Sequence, residues 1–184
     1  GENGRGTPAH FGVTKDVDLI VTTLSKSIPS TGGAISGSPE LINYIRYYGD
    51  SAIFSTSVPL ASLGTAKAAI QRMEQDPSLV KNLQANVQYF VAGLHKMGLT
   101  HIENPGTGII PIIFPEGTKM QEVAYELHKQ GVYVNTAEFP SVPVSAPRLR
   151  IGLMANQTKA DIDALLKALE SVRGRLKLVH PLVP

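Results

Sequence analysis

The chain has 184 residues, 42% of them hydrophobic, with 17 basic against 15 acidic side chains and a net charge of +2. That length buries a core, as one large domain or two small ones, and the composition excludes a disordered chain. Interspersed charges without a basic run argue against a nucleic-acid partner, and the absence of cysteine excludes disulfides, Cys-based zinc sites and a thiol nucleophile. No apolar run approaches the ~18 residues of an integral membrane segment. No secretory signal opens the sequence, so a soluble, cytoplasmic protein is expected.

Residues 1–12 form a Gly-rich loop with few apolar anchors. Val17 and the run Leu19-Ile20-Val21 predict a buried strand over residues 17–24. The chain then turns hydroxyl-rich around a lysine, with Thr22, Thr23, Ser25, Ser27, Ser30 and Thr31 about Lys26, and reaches Gly32-Gly33. A glycine pair there lets the backbone bend tightly or approach a ligand. A lysine at the end of a buried strand is partly desolvated, which lowers its pKa and frees the amine to form a Schiff base with a carbonyl. The hydroxyls around it suit a phosphate. A solvated lysine in a polar loop accounts for the same residues, and both readings stand at this point.

Residues 34–38 predict a short strand, and Ser38-Pro39-Glu40 starts a helix with Ser38 as N-cap and Pro39 in the first turn. Leu41, Ile42, Ile45 and Tyr48 repeat along it at helical spacing. Residues 51–59 read as a polar loop. Residues 61–74 read as a helix with a small-residue side, Ala61, Gly64 and Ala68, that favours close packing. Asp76-Pro77 caps the next helix, which carries the stripe Leu79, Leu83, Val87, Phe90 and Leu94 to residue 97 and ends at Gly98.

Beyond Gly98 the units shorten: a strand over 109–114, a helix over 119–130, strands over 132–135 and 149–154, and a helix over 158–173. Thr158 and Asp161 form a capping box at the last helix. The alternation predicts a separate small α+β domain. Arg148 and Arg150 flank Leu149, so on a strand both point to one face. His95 and His101 lack ligand partners at useful spacing, and no metal site is expected. The Pro-containing tail, 176–184, reads as an extended arm.

Several motifs occur together and in order: Gly4-Arg5-Gly6-Thr7, His10-Phe11-Gly12-Val13, Val17-Asp18-Leu19-Ile20, Thr23-Leu24-Ser25-Lys26-Ser27, Gly32-Gly33, Phe54-Ser55-Thr56-Ser57-Val58-Pro59 and Arg148-Leu149-Arg150-Ile151. From Gly1 to about Val172 the sequence resembles the α-oxoamine synthases. These are pyridoxal 5'-phosphate (PLP) enzymes of the aspartate-aminotransferase fold type, and include serine palmitoyltransferase, 8-amino-7-oxononanoate synthase and 2-amino-3-ketobutyrate CoA ligase.

The resemblance implies an α/β fold, the C-terminal part of a fold-type I PLP-dependent transferase. Residues 1–75 would be the remainder of the large PLP-binding domain, 76–97 a connecting helix, 98–175 the small α+β domain and 176–184 a tail. It implies that Lys26 forms the Schiff base with PLP and then shuttles the Cα proton, and that the Thr23 hydroxyl binds the cofactor phosphate. Ser55 and Thr56 would reach across a homodimer interface to the partner subunit's phosphate. Arg150 would bind the amino-acid carboxylate, while Arg148 is read, apart from the resemblance, as a salt-bridge residue at a sheet edge. The implied reaction condenses a small amino acid with an acyl-CoA to give an α-amino ketone.

Two departures stand out. The family's cofactor-site aspartate and histidine precede the position of Gly1. Asn156-Gln157-Thr158 also stands where the family has Ala-His-Thr. The first departure motivates an alternative, a catalytically silent fragment or subunit contributing dimer contacts. A fold-type I aminotransferase is the other alternative.

Overall fold

The computed structural model describes residues 2–99 and 106–173, so His101 and the 176–184 tail lie outside the described residues. The chain divides into two compact units at Pro77/Ser78.

The first unit opens on a 3-10 turn at Glu2–Gly4 and one α-helical turn, α1 (Thr7–His10), where a loop was expected over residues 1–12. It is built around the antiparallel hairpin of β1 (Leu19–Ser25) and β2 (Pro29–Gly37). Three helices follow: α2 (Pro39–Tyr48), the one-turn α3 (Asp50–Ile53) and α4 (Leu60–Gln75). Ser38 caps α2 as its sequence demands, its Oγ accepting the Leu41 N–H at 3.3 Å. Leu24, Ile28 and Ala66 are the unit's buried core, with Ala69 and Met73 packed against them.

Three expectations are corrected here. Among the described residues β1 is covered on one face only: Leu24 is 5% exposed, but Val21 is 73% exposed. A two-stranded hairpin has one face for α4, and among the described residues no third strand pairs with it. Gly32-Gly33 does not close the lysine loop but lies inside β2, opposite Thr23 and its neighbours. The polar loop starts later than expected, because Asp50–Ile53 closes a helical turn through the Phe54 N–H to Asp50 carbonyl bond at 3.0 Å.

The second unit packs α5 (Ser78–Met97), α6 (Met120–His128) and α7 (Lys159–Arg173) around an antiparallel sheet. Its strands are β3 (Ile109–Ile113), β4 (Asn135–Ala137) and β5 (Arg148–Gly152), in the order β3-β5-β4. The apolar stripe of α5 meets the sheet as its spacing requires: Val87, Phe90 and Leu94 join Ile110, Ile112, Leu149 and Ile151 in one core, sealed by Ile162, Leu165 and Leu169 of α7. At the end of α5, Gly98 takes φ +64°. Its N–H bonds to the His95 carbonyl, and the Leu99 N–H bonds to the Leu94 carbonyl at 3.1 Å, the two bonds of a glycine-stopped helix end.

The same stop explains why the strand expected at 132–135 appears instead at Asn135–Ala137. After α6, Gly131 has φ +79° and the Val132 N–H reaches back to the Leu127 carbonyl at 3.1 Å. Val132 is therefore spent on ending the helix and packing against the core, and sheet pairing begins only at Asn135. β5 is the central strand, so Arg148 is not at a sheet edge. Its Nε donates to the Ala146 carbonyl at 3.1 Å, and no ion pair forms there among the described residues.

At the start of α7 the capping box is present. The Asp161 carboxylate accepts the Thr158 N–H and hydroxyl, both at 2.7 Å, and the Asp161 N–H donates to Thr158 Oγ1 at 3.3 Å. The Thr158 N–H and hydroxyl hold the Asp161 carboxyl below its usual range. A lowered folded-state pKa adds stability above the unfolded-state value, about 3.9, and that stability is lost as pH falls through the folded value. Asp161→Ala is thus expected to lower the thermal midpoint at neutral pH, and the gap from the parent should close in acid below about pH 4. A gap of constant size from pH 7 into acid would mean that the carboxylate does not hold the cap.

Candidate active site

In the first unit Lys26 stands at the tip of the hairpin, between the last strand pair Ser25↔Pro29. Two residues to either side, Leu24 and Ile28 sink into the core against α4, while Lys26 is exposed. The tip is pinned on both flanks and offers the amine outward. That exposure corrects the expectation of a lysine desolvated by a buried strand, since the described residues do not cover it.

Thr23 alternates with buried Leu24, which puts its hydroxyl on the hairpin face away from α4. Neither Lys26 Nζ nor Thr23 Oγ1 has a hydrogen-bond partner among the described residues, so both are available to an incoming group.

The seat of the hairpin has a regular geometry that the sequence did not reveal. Ile28, Ser30 and Gly32 alternate to one side and meet residues around Ala66, Ser62 and Val58 respectively. Only the middle of this seat lies within regular elements: Ser30 and Gly32 are two apart on β2, a step of ~6.6 Å, and Ser62 and Ala66 four apart on α4, a step of ~6 Å, while Ile28 precedes the strand and Val58 precedes the helix. Ser30 Oγ donates to the Ser62 carbonyl at 2.7 Å. Gly32 takes φ +107°, and a Cβ there would lie 2.7 Å from Val58 Cγ2. Only glycine admits Val58 so close.

Ser55 and Thr56 lie just upstream of Val58, after α3. Ser55 Oγ donates to the Ser51 carbonyl at 2.5 Å, whereas Thr56 Oγ1 has no partner among the described residues. The flanking apolar side chains are open, Phe54 at 87% and Leu60 at 85% exposure.

In the second unit Arg150 projects from the exposed face of β5 beside buried Leu149 and Ile151, paired in register with Pro111 and Asn135. It borders a cavity of about 580 Å³ together with Tyr133, Asn135, Gln157 and Asp161. The Asp161 carboxylate is held by its cap, and the guanidinium has no partner among the described residues, which leaves a free fork for a carboxylate.

Gln157, at the position of the family's histidine, holds the turn after β5. Its Oε1 accepts the Met154 N–H at 2.9 Å, and Asn86 of α5 donates to the Met154 and Gln157 carbonyls at 3.0 and 2.9 Å. Nothing in the spacing of Asn86 marked it for this. Among the described residues no cluster of His, Asp or Glu could hold a metal, and no helix is long and apolar enough to cross a membrane.

The chain belongs to the aminotransferase class I and II family, whose model matches residues 2–169. It is 35% identical over 179 residues to an 8-amino-7-oxononanoate synthase of Thermoanaerobacter pseudethanolicus, covering 97% of this chain and 45% of that protein. It is 36% identical over 167 residues to a serine palmitoyltransferase of Bacteriovorax stolpii, covering 91% and 40%. The structure resembles a serine palmitoyltransferase of S. paucimobilis solved with PLP and myriocin bound, at a TM-score of 0.88 and 25% identity over 97% of this chain and 45% of that one. The chain thus spans somewhat under half the length of these relatives.

Proposed function

We infer that this chain supplies the lysine, the phosphate hydroxyls and the carboxylate-binding arginine of a PLP-dependent acyltransferase. The enzyme condenses a small amino acid with an acyl-CoA to give an α-amino ketone. The observation that carries the reading is the outward amine of Lys26 at a hairpin tip locked by Leu24 and Ile28. The residues fit the cofactor: an unpaired amine for its aldehyde, with the Thr23 hydroxyl nearby along β1 for its phosphate. When bound, PLP supplies an electron sink for the carbanion at the amino acid's Cα.

Lys26 Nζ would hold the cofactor, and its amine would take the Cα proton of the substrate. Arg150 grips the substrate carboxylate with its two-pronged guanidinium. In this reading residues 1–75 belong to the large domain, 76–97 are the connecting helix, whose Val87, Phe90 and Leu94 pack in the second unit's core, and 98–175 are the rest of the small domain of a cytoplasmic enzyme. The test is thiol release: the holo-protein given an acyl-CoA should free CoA only when a small amino acid is present. Keto-acid formation without thiol release would assign the chain to an aminotransferase instead.

The protein works as a homodimer with shared sites, in which Ser55 and Thr56 serve the partner's phosphate. The exposed Phe54 and Leu60 beside them support an interface at this loop. Mixing a Lys26→Ala variant with a Ser55→Ala/Thr56→Ala variant, each inactive alone, is expected to restore part of the activity through one intact site per mixed dimer. No recovery despite proven subunit exchange would mean that each chain builds its site alone.

A further inference from the structure

Lys26 and the Ser55–Thr56 hydroxyls are held by the same support. The hairpin that presents Lys26 is seated on α4 by Leu24 and Ile28 and by the Ser30–Ser62 hydrogen bond at 2.7 Å. The last point of the seat is Gly32 against Val58, and Val58 is two residues beyond Thr56 and one before Pro59, the N-cap of α4. The contact is close: a Cβ at Gly32 would stand 2.7 and 3.3 Å from the two Val58 methyls and 3.6 Å from Val58 Cβ. Between Ile53, where α3 ends, and Leu60, where α4 begins, no regular structure holds the chain. There, among the described residues, Ser55 is tied only to the Ser51 carbonyl just upstream, and Thr56 makes no hydrogen bond. Val58 is thus the point where the hairpin bears on this loop.

We propose that the Gly32–Val58 contact is a positioning device that sets Ser55 and Thr56 from the lysine hairpin of the same chain. In a dimer with shared sites, each chain's Lys26 hairpin then governs how firmly its own loop holds the phosphate at the other site, which links the two sites. Gly32 and Val58 are positioning residues that act through Ser55 and Thr56. The inference rests on the reading that Ser55 and Thr56 bind phosphate.

The test compares PLP with pyridoxal, which lacks the phosphate, as ligands of the apo-dimer. Gly32→Ala both forces Val58 aside and strains the backbone at φ +107°. Losing charge-assisted hydrogen bonds to the phosphate, it should weaken PLP roughly ten- to a hundredfold and leave pyridoxal unchanged. Adding Val58→Ala should restore part of that loss, because the remaining Cβ sits at an ordinary 3.6 Å. Should Gly32→Ala fail to fold, Val58→Ala alone should show a smaller loss with the same preference for PLP.

Mixed dimers with Lys26→Ala locate the effect, read by the visible absorbance of the lysine-bound cofactor. Gly32→Ala placed in the Lys26→Ala chain should weaken the one intact site. Placed in the other chain, it should not. Equal losses for PLP and pyridoxal, or an effect that follows the lysine-bearing chain, would overturn the inference while leaving the phosphate role of the loop standing. If Ser55→Ala/Thr56→Ala itself leaves PLP affinity unchanged, the reading beneath the inference falls, and the inference with it.

Discussion

Lys26→Ala is expected to abolish thiol release while leaving the fold intact. The side chain is exposed at the hairpin tip and has no partner among the described residues, so its removal should shift stability by no more than about 0.5 kcal/mol. Leu24 and Ile28 still seat the hairpin on α4. The activity lost is that of a positioned proton carrier and anchoring nucleophile. The proton-transfer part alone contributes roughly 10²–10⁴-fold, or about 3–5 kcal/mol of barrier. Lys26→Arg should not rescue, because a guanidinium remains protonated and cannot attack a carbonyl. Borohydride reduction of the PLP-loaded protein, followed by peptide mapping, should leave the pyridoxyl group on Lys26. A label on Lys15 or Lys67 would remove Lys26 from the role.

Arg150→Ala should separate the two substrates. A charge-assisted carboxylate pair contributes roughly 1.5–3 kcal/mol, so the affinity for the amino acid should fall ten- to over a hundredfold. The affinity for acyl-CoA should be nearly unchanged. The fold should tolerate the change, because Arg150 lies on the exposed face of β5 and the core side of that strand is held by Leu149 and Ile151. Arg150→Lys should recover only part, since a point charge replaces the two-pronged grip. Equal losses for both substrates would take Arg150 out of the carboxylate role, and the cavity it borders with Tyr133 and Asn135 would need another occupant.

Features written in a few neighbouring residues were legible in the sequence. Ser38 before Pro39 set the start of α2, Thr158 with Asp161 set the start of α7, and Gly98 ended α5, because a cap satisfies backbone groups within one turn of itself. The stripe of α5 was legible for the same reason, a helix burying one face at 3.6-residue spacing, although exposed Leu79 extends beyond it. The same-face placement of Arg148 and Arg150 followed from strand alternation alone.

Tertiary structure decided whatever depended on distant partners. An apolar run such as Ile20-Val21 states what it is able to bury and not what is there to bury it, so the exposure of Val21 was invisible until the hairpin and α4 were seen together. Val132 is β-branched, yet it closes α6, because the positive φ of Gly131 turns the Val132 N–H back to the Leu127 carbonyl. The seat of Lys26 lay furthest from the sequence. It joins residues 28, 30 and 32 to residues around 66, 62 and 58, pairings between distant parts of the chain that no local pattern of the sequence carries.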